Sequence, residues 1–162
     1  MNTTEALAKA ETLLGSVTVS SDRPQENRLD IDIKTEDLQK SIQILIDNEW
    51  GYLSAIVGVD RPDKPADGEE ITADTNGKVE ILYPFCEGNA IVTLRLSVPY
   101  DNPVVDTICT IIPSATLYER EMIEMYGIEI KGTPDTNKLL LPDDWPEGQY
   151  PLRKSFKGLG QS

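Results

Sequence analysis

Carboxylates crowd one short stretch of the chain. Glu119, Arg120, Glu121 and Glu124 fall in a window whose spacing predicts a helix. On that helix Arg120 and Glu124 are four apart and can pair, whereas Glu121 shares a face with Leu117 and Met125 and so points toward the apolar side. A carboxylate on such a face must find a cation or keep its proton. Pairing with an arginine is the structural solution. The catalytic one is a general acid, Glu121, working opposite Glu124 or Asp144 as in a two-carboxylate hydrolase. With 28 acids in the chain, chance pairs are plentiful, and the structural solution is favoured.

Two further runs stand out. Leu139-Leu140-Leu141-Pro142-Asp143-Asp144-Trp145 puts three leucines and a tryptophan in a stretch without periodicity, which its own sheet or another protein must cover. Pro151-Leu152-Arg153-Lys154 then places a guanidinium fork on a rigid extended segment, a good geometry for gripping a carboxylate or backbone carbonyls.

Much else is excluded. The 162 residues contain no histidine and two cysteines, which removes the usual base of nucleophile triads, the commonest zinc ligand and the four thiolates of an iron–sulfur cluster. Cys86 and Cys109 are expected as reduced, packed thiols. There is no glycine-rich phosphate loop before a helix, no nucleophile elbow and no apolar run long enough to span a membrane. A formal charge of −13 repels phosphate backbones and anionic lipid, so nucleic acid and direct membrane insertion are not expected. From Gly148 onward there is no acid and there are three bases, Arg153, Lys154 and Lys157. That tail is either a frayed terminus or a basic strap aimed at an acidic surface, its own or a partner's.

The elements that must position these residues follow from periodicity. Thr4 caps a first helix with Ala6, Leu7, Ala10, Leu13 and Leu14 on one stripe, ended by Gly15. Residues 16–27 are polar and linker-like. Leu29, Ile31 and Ile33 alternate as a half-buried strand, and Thr35 caps a helix burying Leu38, Ile42, Leu45 and Ile46. A strand at 52–59, an acidic loop at 60–77, and a hairpin turning at Gly88-Asn89 come next. Pro103 starts a short helix carrying Val104, Val105, Ile108, Ile111 and Ile112, stopped by Pro113. Ser114 caps the helix of Tyr118, Met122, Met125 and Tyr126, which ends at Gly127. The expected fold is α+β: a small sheet in the order strand, helix and three strands, with helices on one face over residues 1–126, then an irregular C-terminal docking arm over 127–162.

The run Pro113-Ser-Ala-Thr-Leu-Tyr-Glu119-Arg120-Glu121-Met-Ile-Glu-Met-Tyr-Gly127-Ile128, followed by Leu139-Leu140-Leu141-Pro142-Asp-Asp-Trp145 and Pro151-Leu152-Arg153-Lys154, resembles the C-type subunit of the proton-pumping NADH:quinone oxidoreductase, respiratory complex I. Membrane-bound energy-converting hydrogenases and archaeal dehydrogenases contain similar subunits. The resemblance is clear over the last third, with comparable segments at 50–60 and 98–103. Gly132-Thr133-Pro134 stands where complex I relatives usually have Gly-His-Pro, a departure that favours a hydrogenase-type or archaeal-type complex.

The resemblance implies a subunit of the hydrophilic arm that binds no cofactor and clamps the large D-type subunit, or the hydrogenase large subunit, near the terminal iron–sulfur cluster of a small neighbour. Iron–sulfur clusters, and a quinone or NiFe site, would belong to those partner subunits. The chain would sit peripherally on the cytoplasmic face of the membrane, held through the complex. Two other readings stay open from the residues alone: a free-standing carboxylate-based enzyme, perhaps using Mg²⁺, and a soluble adapter without redox context.

Overall fold

The structure is a computed structural model that describes residues 2–160; Met1, Gln161 and Ser162, the outer ends of the two expected segments, lie outside the described residues. Among the described residues, three helices and eight strands give the α+β fold that the sequence predicts.

Helix α1 (Thr3–Leu14) is capped two residues earlier than expected. Asn2 accepts from the Glu5 amide while Glu5 reaches back to the Asn2 amide, a reciprocal pair that Thr4 cannot make. Residues 18–25, expected as linker, instead form β1 (Thr18–Gln25), antiparallel to β2 (Arg28–Ile33). Both faces of β1 are open to solvent, so its side chains carry no alternation for the sequence to reveal. Next, α2 (Leu38–Asp47) follows a single tight turn at Thr35–Asp37 and buries Leu38, Ile42 and Leu45, with Ile46 half-buried.

The sheet is mixed. β2 runs parallel to β6 (Ala90–Pro99), and β6 is antiparallel to β5 (Gly77–Glu87). On the far side of β5 the expected single strand is broken into β3 (Tyr52–Leu53) and β4 (Val57–Pro62). Pro84 accounts for the break. Its carbonyl accepts the Ser54 amide at 2.9 Å, so its nitrogen faces the same edge strand and has no hydrogen to offer there.

All three helices cover one face. Val79, Ile81, Tyr83 and Phe85 of β5 and Val92, Leu94, Leu96 and Val98 of β6 are buried beneath them, together with Leu29, Ile31 and Ile33 of β2. Trp50, fully buried, donates its indole N–H to the Ala6 carbonyl at 2.9 Å and ties α1 to the end of α2. On the opposite face Arg95 holds Glu80 and Asp30, and Arg61 also reaches Glu80.

After Pro99 the expected helix at 104–112 is absent. Val104–Asp106 is strand β7, paired in parallel with β8 (Glu129–Lys131), a segment expected to be irregular arm. The spacing of Val104, Val105 and Ile108 is helical, but β-branched side chains fit a pleated surface better, and pairing with Ile130 buries Val105. The folded body therefore runs to Lys131, five residues beyond the boundary drawn from periodicity. Helix α3 (Thr116–Tyr126), introduced by a tight turn at Pro113–Ala115, ends where expected: Gly127 takes φ +69° and donates to the Ile123 carbonyl.

Candidate functional site

Helix α3 is the scaffold on which the C-terminal arm is built. Its buried stripe contains Ala115, Glu119, Met122 and Tyr126, so Glu119 is the carboxylate that enters the core. Glu119 accepts from Thr107 Oγ1 at 2.8 Å, from the Ile108 amide at 2.8 Å and from Cys109 Sγ at 3.2 Å, and thereby fixes the turn that follows β7. Burial pushes the Cys109 thiol up against an opposing hydrogen bond from Thr107, and the hydrogen bond and charge of Glu119 push in the same direction as burial. Glu121, expected on the apolar side, is only half-buried, and Leu117 beside it is exposed.

Arg120 and Glu124 do not pair with each other. Arg120 donates to the carbonyls of Asn137 and Lys138, each at 2.8 Å, and lies 3.3 Å from Asp135. Glu124 accepts the amide of Leu139 with one oxygen and that of Leu140 with the other. A fork for carbonyls and a carboxylate for amides, four residues apart on one helix, thus hold an irregular segment whose backbone has no ladder of its own. Beyond it Lys138 Nζ donates to the carbonyls of Pro142, Asp143 and Trp145, curling the chain around the ammonium. Trp145 is half-buried, its ring centroid 6.0 Å from that of Phe156.

The strap at 150–156 returns to the C-terminal end of α3. The last carbonyls of a helix lack partners within it. Here Met125 accepts the Leu152 amide at 3.2 Å and Tyr126 accepts Arg153 Nε at 2.7 Å, with the cation favourably placed at the negative end of the helix dipole. The Arg153 guanidinium stacks 4.1 Å from the Tyr100 ring centroid and lies 3.8 Å from Asp60. Asp60, near the end of β4, also accepts Tyr100 Oη at 2.6 Å and the Lys154 amide at 2.7 Å. Burial, and then the hydrogen bond to Asp60 and its charge, raise the Tyr100 phenol, which stays protonated as a donor. Tyr126 donates to the Gly58 carbonyl at 2.7 Å, and Gly127 lies so close to Tyr150 that a Cβ there would sit 2.4 Å from its ring.

The arm is therefore held by its backbone while part of its hydrocarbon faces outward. Leu140 is 61% exposed, Leu152 48% and Leu139 37%, with Leu141 half-buried. Pro142 is exposed and Pro151 half-buried. The Arg153 fork meets both a carboxylate and a carbonyl, as its geometry predicts, and both belong to its own chain. The Lys154 side chain remains exposed. Asp60, Tyr100 and Glu124's role as a backbone acceptor are not among the features that the sequence pointed to. For Glu119 there was a signal: it stands at four, three and four residue steps with Ala115, Met122 and Tyr126.

The family model for the respiratory-chain NADH dehydrogenase 30 Kd subunit matches residues 31–162, from within β2 through the whole of α3 and the strap. The chain belongs to this family. The three runs that carried the resemblance all lie inside the match. Against the membrane-bound hydrogenase subunit beta of Pyrococcus furiosus, this family member is 49% identical over 93 residues, 56% of its own length and 54% of the relative's. Against the C-type subunit of the F(420)H(2) dehydrogenase of Methanosarcina mazei it is 30% identical over 112 residues, 68% of its own length and 63% of the relative's. The chain thus spans about half to two thirds of the length of these relatives. Its fold matches, with TM-score 0.70 at 19% identity, a chain in the structure of the membrane-bound sulfane sulfur reductase, an archaeal respiratory membrane complex, over 96% of this chain and 87% of that one. Among the described residues no helix is long and apolar enough to cross a membrane.

Proposed function

We propose that this chain is a structural subunit of the hydrophilic arm of a membrane-associated, ion-pumping oxidoreductase, and that its C-terminal arm clamps the large quinone-site or hydrogenase-site subunit. The iron–sulfur clusters, and a quinone or nickel–iron site, belong to the partner subunits, among them a small iron–sulfur subunit near the clamped surface. The complex holds the chain at the cytoplasmic face of the membrane. Family membership supports the setting, and the hydrogenase and dehydrogenase relatives favour an energy-converting hydrogenase or archaeal dehydrogenase over a mitochondrial-like enzyme.

One observation carries the clamp: Arg120, Glu124 and Asp60 engage backbone groups of residues 137–140 and of Lys154, yet Leu139, Leu140 and Leu152 are left uncovered. Polar groups satisfied within and hydrocarbon displayed without are what a docking surface requires. The same geometry weighs against a two-carboxylate hydrolase, since both oxygens of Glu124 are occupied by amides.

The test is affinity purification of the tagged full-length chain from its host. Co-purification of a hydrogenase-type or NADH-dehydrogenase-type large subunit together with an iron–sulfur subunit is expected, and loss of both on deleting residues from Gly132 onward. An unchanged set of partners after that deletion overturns the clamp.

A further inference from the structure

Two acidic side chains from distant parts of the sequence perform the same task at the two ends of the arm. Glu124, on α3, takes the amides of Leu139 and Leu140, one on each oxygen. Asp60, near the end of β4, takes the Lys154 amide on one oxygen and the Tyr100 hydroxyl on the other. Both are buried, Asp60 at 4% and Glu124 at 8% exposure. A carboxylate gives up its hydration only where donors replace the water, and here most of the replacing donors are main-chain amides of the arm. Between these two anchors residues 141–149 are tied by local bonds, from Lys138 to three carbonyls and from Trp145 Nε1 to the Gln149 carbonyl at 2.8 Å, and the bonds of Leu152 and Arg153 to the last carbonyls of α3 lie beside the Asp60 anchor.

We infer that Asp60 and Glu124 are positioning residues that seat the C-terminal arm on its own body before any partner arrives, so that Leu139, Leu140 and Leu152 meet the partner as a preformed ridge. A tail that ordered only on contact would spend part of its binding energy on losing conformational freedom. A seated arm has lost that freedom during folding. Neither carboxylate need touch the partner for its removal to weaken the complex. The consequence for binding rests on the clamp reading; the seating itself does not.

Amide hydrogen exchange on the purified full chain tests the seating. In the wild-type protein the amides of Leu139, Leu140 and Lys154 are protected. Glu124→Ala accelerates exchange at Leu139 and Leu140 by about tenfold or more and leaves Lys154 and the β5–β6 amides unchanged; Asp60→Ala does the converse. Glu124→Gln, which keeps one oxygen for one amide, retains part of the protection, a rescue that simple loss of packing at this position would not produce. Arm amides that exchange at unstructured rates in the wild type, or that are indifferent to both substitutions, overturn the inference. If Asp60→Ala also accelerates the β5–β6 amides, it has loosened the whole fold, and Glu124→Ala and Glu124→Gln decide. The purification described above judges the clamp separately: a protected arm whose deletion leaves the partners in place sinks the clamp and leaves the seating intact.

Discussion

Single side chains show where chemistry was legible and where it was hidden. The Arg153 fork could be assigned its kind of partner from the rigid Pro151-Leu152 context alone. Spacing puts Glu121 on the face of Leu117 and Met125, but Leu117 is exposed and Met125 only half-buried; the face that enters the core is that of Ala115, Met122 and Tyr126, and it carries Glu119. A buried carboxylate that collects a hydroxyl, an amide and a thiol leaves all three short of an acceptor when it is removed. Glu119→Ala is therefore expected to cost about 2–4 kcal/mol, read as a shift in the urea midpoint, with Glu119→Gln costing less. A loss under about 0.5 kcal/mol, the range of ordinary surface changes, would contradict that role. Glu80 supplies the pH-dependent prediction. Burial alone would raise its carboxyl, but hydrogen bonds and charge from Arg95 and Arg61 outweigh burial and hold it below the ordinary range. A carboxyl depressed in the folded state adds stability above its unfolded value, about 4.3, and that contribution is lost as pH falls through the folded value. Melting temperature against pH should thus show wild type above Glu80→Gln at pH 7, the gap closing as pH drops below about 4. Parallel curves at all pH values would show that the ion pairs contribute nothing.

Elements were legible in proportion to how far one face is buried. β2, β5, β6 and α2 alternate or repeat because each packs one side into the core. β1 carries no periodic signal because neither of its faces is buried, and β7 is a strand despite helical spacing because tertiary pairing with β8, a strand about 25 residues further on by register, overrides its local pattern. Nothing local announces a parallel partner that distant. The contact between α3 and β4 is another case. Gly58 lies in register with Ile81, on the helix-covered face, and a Cβ built on it would sit 2.4 Å from the Tyr126 ring. Its backbone is not in the left-handed region, so the constraint is space alone. Gly58→Ala must push Tyr126, and α3 with it, off the sheet, and is expected to destabilise by about 1–3 kcal/mol in denaturant titration. Because Tyr126 also accepts Arg153 through its carbonyl, the same substitution should raise exchange at the Lys154 amide before it affects β6. Uniform acceleration across the sheet would show that helix and strap are not linked in this way.

At the level of the whole molecule, what matters is where the body stops and the arm begins. Periodicity placed that boundary at 126, since nothing regular follows Gly127. The structure places two buried isoleucines, Ile128 at 1% exposure and Ile130 at 8%, beyond it. Each such side chain contributes about 1.5–3 kcal/mol of burial, and β7 loses its partner strand along with them. Against a total stability of about 5–15 kcal/mol for a domain of this size, removal of both is a large fraction. The arm beyond Lys131 is different. It is held by hydrogen bonds to the buried carboxylates of Glu124 and Asp60 and to the end of α3, and its leucines face largely outward, so its loss removes little buried hydrocarbon. A chain ending at Lys131 should unfold cooperatively within about 1–2 kcal/mol of the 162-residue chain, because removing the arm opens Glu124 and Asp60 to water and does not leave them buried without donors. A chain ending at Tyr126 should lose about 3–6 kcal/mol and fold marginally or not at all. Circular dichroism during urea unfolding of the two truncations separates the cases. Equal stability would mean that the β7–β8 pair is not part of the body. A shorter chain that folds as well as the full-length protein would restore the boundary at 126, and a chain ending at Lys131 that fails to fold would make the arm part of the core and not a surface displayed by it.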